Sequence, residues 1–124
     1  MPKVLIVDDS SFQRRLIRRA LGPLAEDTIE AGDGMAAIEI LKTETPDVIL
    51  LDLLMPELDG FGVLEELQKI QCPIPRIVLT ADVQETAAQR CRDLGAFDVI
   101  HKPPSEEKLR GVLERALAGQ QVEA

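Results

Sequence analysis

Four bulky apolar residues, Val48-Ile49-Leu50-Leu51, lead straight into Asp52, and a stretch rich in helix and strand breakers, Met55-Pro56-Glu57-Leu58-Asp59-Gly60, follows almost at once. A strand with no polar side of its own has to be covered on both faces, the condition of a parallel strand inside a helix-sheathed sheet. Such a strand delivers the residue at its carboxyl end into the crevice where open α/β sheets hold ligands. Asp52 is therefore placed as a metal ligand, a nucleophile or a plain cap, and the rest of the chain has to separate the three.

Five apolar runs of strand length alternate with five helical patterns, which is the signature of βα units around a parallel sheet. The strands are expected at Lys3 to Val7, Asp27 to Ala31, Asp47 to Asp52, Arg76 to Thr80 and Phe97 to Lys102. The second is polar and suits a sheet edge. Ser10 or Ser11 is placed to cap the first helix, on which Phe12, Leu16, Ile17, Ala20 and Leu21 share one arc, and Gly22-Pro23 ends it. The second helix is expected from about Met35 to Lys42, after the turn Gly32-Asp33-Gly34. Asp59 caps the third, which carries Val63, Leu64, Leu67 and Ile70. Asp82 with Glu85 reads as a capping box for the fourth, closed by Gly95, and Ser105 caps the fifth, with Leu109, Val112, Leu113, Ala116 and Leu117 inward.

Residues 1–124 are expected to form a single domain, with a core over about 2–118 and a frayed polar tail over 119–124, and the Met1 start suits a complete small protein. A net charge of −8 and a pI near 4.6 argue against direct DNA binding, which needs a basic surface. No apolar run reaches the roughly 20 residues of a membrane span, so no membrane partner is expected. Cys72 and Cys91 have no metal-ligand spacing and read as reduced thiols of a cytoplasmic protein. On the first helix, Arg14, Arg15, Arg18 and Arg19 form a basic stripe, which reads as a solvated face in preference to a surface that steers an acidic partner. His101 reads as a half-exposed strand residue facing away from Lys102.

Parallel strands bring their carboxyl ends to one edge, and there the chain places Asp8 and Asp9, Asp52, Thr80 and Lys102. Carboxylates gathered so closely repel unless a cation lies among them. Hard oxygen donors suit Mg²⁺, which takes one or two carboxylates and keeps room for water and a phosphate oxygen. A hydroxyl and a lysine beside it complete a set fit for phosphoryl transfer by positioning and charge neutralisation.

The motifs Val-Asp8-Asp9-Ser, Asp52-Leu-Leu-Met-Pro-Glu-Leu-Asp-Gly, Leu-Thr80-Ala and His-Lys102-Pro103, in this order and each after an apolar run, resemble the response-regulator receiver domains, the CheY-like family. The resemblance covers about Pro2 to Leu117. It implies a doubly wound, flavodoxin-like (βα)5 fold with strand order 2-1-3-4-5, an order that belongs to the family and is not read from the pattern. It further implies that Asp52 is the phosphoacceptor for a histidine kinase or phosphotransfer protein. Asp8, Asp9, Asp52 and the Leu54 carbonyl would hold Mg²⁺, while Thr80 and Lys102 would bind phosphoryl oxygens. A cis Lys102–Pro103 bond and a target-binding face on the fourth helix, fifth strand and fifth helix are implied too.

This sequence departs from the family at Val99, where many members carry a switch aromatic, and at Leu54, where others carry a group that orients water. Three rival readings stand beside this one, and the third, a piece of a larger regulator with a DNA-binding half, is the one that the Met1 start and the polar tail after Gly119 are expected to disfavour. A haloacid-dehalogenase-type phosphatase needs a second acid two residues after its nucleophile, where this chain has Leu54, and a flavodoxin-type carrier needs a Ser/Thr-rich phosphate loop. The chain is therefore expected to be a phosphorylation switch and not an enzyme.

Overall fold

The computed structural model describes residues 2–55 and 58–119; Pro56, Glu57 and the predicted frayed tail from 120 onward lie outside it. Five strands, β1 (Lys3–Val7), β2 (Asp27–Ala31), β3 (Val48–Asp52), β4 (Arg76–Thr80) and β5 (Asp98–His101), pair in parallel in the order β2-β1-β3-β4-β5. Five helices connect or follow them: α1 (Ser11–Leu21), α2 (Gly34–Ile40), α3 (Gly60–Lys69), α4 (Glu85–Asp93) and α5 (Glu106–Leu117). The architecture is the expected (βα)5 flavodoxin-like one, with polar β2 at an edge.

Side-chain alternation divides the core in two. Leu5, Val7, Ile49, Leu51 and Val78 face Val63, Leu64 and Leu67 of α3 and Ala88 and Cys91 of α4. Val4, Ile6, Leu50, Ile77 and Leu79 face Ile17 and Leu21 of α1 and Leu109, Val112 and Leu113 of α5. Every residue of β3 is buried, as its unbroken apolar run requires. Among the described residues no helix is long and apolar enough to cross a membrane.

Three local expectations are corrected. The apolar arc of α1 is wider than the stripe it buries: Ile17 and Leu21 are inside, whereas Phe12 and Leu16 are exposed near the carboxyl edge of the sheet. The second helix ends at Ile40, because Lys42 and Thr43 tighten into bonds to the carbonyls of Glu39 and Ile40, three residues back. The Asp82–Glu85 capping box does not form. Asp82 N–H donates to Thr80 Oγ1 at 3.0 Å and Asp82 Oδ1 accepts from Gln84 N–H at 2.9 Å, a local turn that delays the helix and leaves Gln84 as a cap without a side-chain bond. The basic stripe is solvated as expected at Arg15, Arg18 and Arg19, and Arg14 and Arg18 also grip Glu30 of β2 at 2.7 and 2.6 Å. Ser10, Asp59 and Ser105 cap their helices as expected, and both cysteines are free thiols.

Candidate functional site

The pairing Val7↔Leu51 sets the next residues, Asp8 and Asp52, side by side at the carboxyl edge. Both follow in phase the residues that face α1 and α5. Their side chains are buried, yet with Asp9 they bring one carboxylate oxygen each within 4.8 Å of one another. Lys102, just beyond β5, reaches over them, its Nζ 3.0 Å from Asp8 Oδ2 and 3.2 Å from Asp52 Oδ1. It is held by its own N–H, which donates to the Thr80 carbonyl at 2.8 Å, and the bond that follows, Lys102–Pro103, is cis as expected.

One ammonium does not neutralise three carboxylates. Burial pushes the Asp52 carboxyl above the ordinary aspartate range, with the nearby Asp8 charge adding to the effect and Lys102 offsetting part of it. Burial alone would lower Lys102, but its bonds to Asp8 and Asp52 outweigh that and hold it above the usual lysine range. The uncompensated charge and the all-oxygen donor set fit a hard divalent cation such as Mg²⁺.

The structure brings Asp8, Asp9, Asp52 and Lys102 together in a cleft of 430 Å³, whose lining also includes Gln13 and Ala81. Thr80 stands at the neighbouring strand end but is buried, with its hydroxyl engaged by Asp82 N–H, and is not part of that lining. The Leu54 side chain, two residues beyond Asp52, stands 69 % exposed. Val99 is packed in the core, and His101 is exposed.

Three residues support the site in ways that were not read from the sequence. Ser10 N–H donates to Asp8 Oδ1 at 2.9 Å while its hydroxyl caps α1, so the helix start and the carboxylate are fixed together. Arg14 donates one N–H to the Asp8 carbonyl and another to Glu30, clamping the end of β1 between α1 and β2. Gly60 sits where a Cβ would come within 2.6 Å of the Asp52 carbonyl oxygen and the Leu53 Cα, and its N–H donates to the Leu53 carbonyl at 2.9 Å. Only a residue without a side chain lets α3 start that close to the backbone of Asp52. The Asp59-Gly60 pair signalled a helix start; the close approach needs the folded loop to be seen.

The response regulator receiver domain model matches residues 4–114. This chain belongs to that family. Its receiver domain is 41 % identical over 117 residues to a probable transcriptional regulator, ycf27, of Porphyridium aerugineum, covering 91 % of this chain and 48 % of that protein. It is 37 % identical over 118 residues to the sensor histidine kinase CheAY of Helicobacter pylori, covering 92 % of this chain but 15 % of that one. The chain thus spans less than half the length of the first curated relatives it matches. Among solved structures, the receiver domain of the Francisella response regulator 1452 superposes with a TM-score of 0.90 at 30 % identity, covering 98 % of this chain and 100 % of that one. The Vibrio cholerae chemotaxis protein CheY4 does so with a TM-score of 0.84 at 30 % identity, covering 94 % and 99 %.

Proposed function

We propose that this receiver domain takes a phosphoryl group on Asp52 from a phosphohistidine of a sensor kinase or phosphotransfer protein and thereby changes its affinity for a protein target. In that step an Asp52 carboxylate oxygen forms a bond to phosphorus, the phosphorus–nitrogen bond of the donor breaks, and the imidazole leaves and takes up a proton. The observation that carries the reading is the buried Asp52 flanked by Asp8, Asp9 and the Lys102 ammonium, with more negative charge than the protein compensates. Asp8, Asp9, Asp52 and the Leu54 carbonyl are the groups proposed to hold Mg²⁺. When bound, that ion supplies charge neutralisation for the incoming phosphoryl oxygens. Lys102 neutralises a further phosphoryl oxygen.

Thr80 acts after transfer. Its hydroxyl turns to donate to a phosphoryl oxygen and gives up the bond it accepts from Asp82 N–H, which releases the turn before α4 and alters the α4, β5 and α5 face offered to the target. Val99 fills the core where an aromatic switch would stand, so repacking along α4 replaces an aromatic swing in this reading. Leu54 has no polar group to orient an attacking water, and the phosphorylated form is expected to be long-lived.

The net charge of −8 supports protein partners and no direct DNA contact by these residues, and a cytoplasmic location in keeping with a kinase donor. The reading is tested by incubating the protein with acetyl phosphate. A mass gain of one phosphoryl group should need Mg²⁺, vanish in Asp52→Ala and decay over minutes or longer; labelling that survives the substitution overturns it. A half-life of seconds contradicts the role given to Leu54, and Leu54→Asn should shorten the lifetime.

A further inference from the structure

At the opposite edge of the sheet, where β4 and β5 begin, residues 72–76 and 95–98 with Arg92 enclose a cleft of 580 Å³. Pro73 and Pro75 keep the approach to β4 extended, and Arg76 is the first residue of the strand. Its carbonyl accepts from Phe97 N–H at 2.7 Å, which fixes the loop before β5 alongside. The Arg76 side chain is only 7 % exposed and turns back under the preceding loop, where Nη1 donates to the carbonyls of Cys72 and Ile74, both at 2.9 Å.

Those two bonds use one side of the guanidinium. Nε is buried and has no acceptor, and among the described residues no carboxylate lies within ion-pair distance of Arg76. Nη2 lies against the bare backbone of Gly95, where a Cβ would stand 3.1 Å from it and φ is +99°. A second guanidinium, Arg92 from the last turn of α4, lines the cleft and is tied only to the exposed Glu85 at 3.5 Å. The one carboxylate of the lining, Asp98, is already spent on Arg115 at 3.1 Å and on Val99 N–H at 2.8 Å. Pro73, Ile74, Ala96 and Phe97 supply apolar wall.

Buried donors are nearly always paired, and a buried cation without a counter-charge is costly. Nε is closed off from the cleft, so Nη2, which has no acceptor among the described residues, is the charged donor that Arg76 offers to a carboxylate oxygen there. The cleft volume lies in the range of small-molecule sites, and its walls suit an apolar body more than a hydrated inorganic anion. We propose that this cleft binds a small organic monocarboxylate, its carboxylate accepting from Nη2 of Arg76 and from the Arg92 guanidinium. The site shares no residue with the carboxylate cluster and does not depend on the phosphoacceptor reading.

The test is a titration of ¹⁵N-labelled protein with benzoate, followed by amide shifts. Saturable changes are expected at Gly95, Ala96 and Phe97, with half-saturation near 1 mM, or about 4 kcal/mol, from charge-assisted bonds to two guanidinium groups and an apolar contact. Neutral benzamide should bind at least tenfold more weakly, and inorganic phosphate should leave these amides unmoved. Arg76→Gln should abolish the benzoate shifts; Arg92→Gln, on an exposed helix face, should weaken them several-fold and carries the test if the first variant does not fold. Equal binding of benzamide, equal displacement by phosphate, undiminished binding in Arg92→Gln, or no saturable shift with benzoate would each overturn the proposal.

Discussion

The two edges of the sheet hold opposite charge problems. At the carboxyl edge, Asp8, Asp9 and Asp52 face a single ammonium, Lys102, and the excess is negative. At the amino edge, the Arg76 guanidinium sits buried with carbonyl partners and no carboxylate, and the excess is positive. Neither edge is compensated within the described residues, although surface charges elsewhere pair freely, as Lys42 with Glu39 and Arg110 with Glu106 do. Buried charge that is not balanced is costly, and a bound counter-charge at either edge would offset that cost. The edges differ in support. The carboxyl edge is braced by Ser10, Arg14 and Gly60, whereas the amino edge rests on Arg76 and the loops it ties.

The variant expected to separate the edges most is Gly60→Ala. The added Cβ has no room against the Asp52 carbonyl and Leu53, so α3 or the Asp52 backbone has to shift. A destabilisation of about 1–3 kcal/mol is expected by chemical denaturation. Phosphorylation by acetyl phosphate should slow, while benzoate shifts at the amino edge stay unchanged. Parallel losses at both edges would break the comparison.

Next in size is Asp52→Asn. A carboxyl whose pKa is raised by folding contributes stability that is full below the unfolded value, about 3.9, and is lost as pH rises through the folded one. In chelator at pH 7 the neutral isostere should therefore raise the melting midpoint by roughly 2–6 °C. The gain should shrink as pH falls toward 4, and Mg²⁺ should narrow it by stabilising the wild type alone. A lower midpoint for the variant across the whole range would contradict the excess negative charge.

The smallest expected effect belongs to Arg14→Gln, which loosens the clamp between Asp8, α1 and β2 without removing any ligand. Part of its pairing with Glu30 is solvent-screened, so a stability loss within about 1 kcal/mol is expected. Magnesium affinity by calorimetry should fall a few-fold, and Arg14→Lys should not fully restore it, since an ammonium cannot hold Glu30 and the Asp8 carbonyl with the same fork. An unchanged magnesium affinity would reduce the clamp to a purely structural contact.

What was legible in the sequence follows from where each signal lies. The strands and the four chemistry-bearing strand ends could be read because each is announced locally, by an apolar run and the polar residue that stops it, whereas the strand order came only with the family resemblance. Asp59 and Ser105 were legible as caps for the same reason. The capping box at Asp82 failed because its residues have a second local option, and Thr80 Oγ1 selects it by taking the Asp82 N–H. The exposure of Phe12 and Leu16 was hidden because periodicity gives a helix face but not how far along its length the sheet continues to cover it. Arg14, Gly60 and Arg76 act across strands or loops. Glu30 comes to Arg14 only through the β1–β2 pairing, and the missing partner of Arg76 cannot be seen before the loop folds over it.

The carboxyl edge is tested most directly by reducing the phosphorylated protein with borohydride, which converts an aspartyl phosphate to homoserine, and sequencing the peptides by mass spectrometry. Homoserine at position 52, formed only when Mg²⁺ was present during phosphorylation, is the expected result. Homoserine at Asp8 or Asp9, or a phosphoryl group that resists reduction on Ser10 or His101, would contradict it.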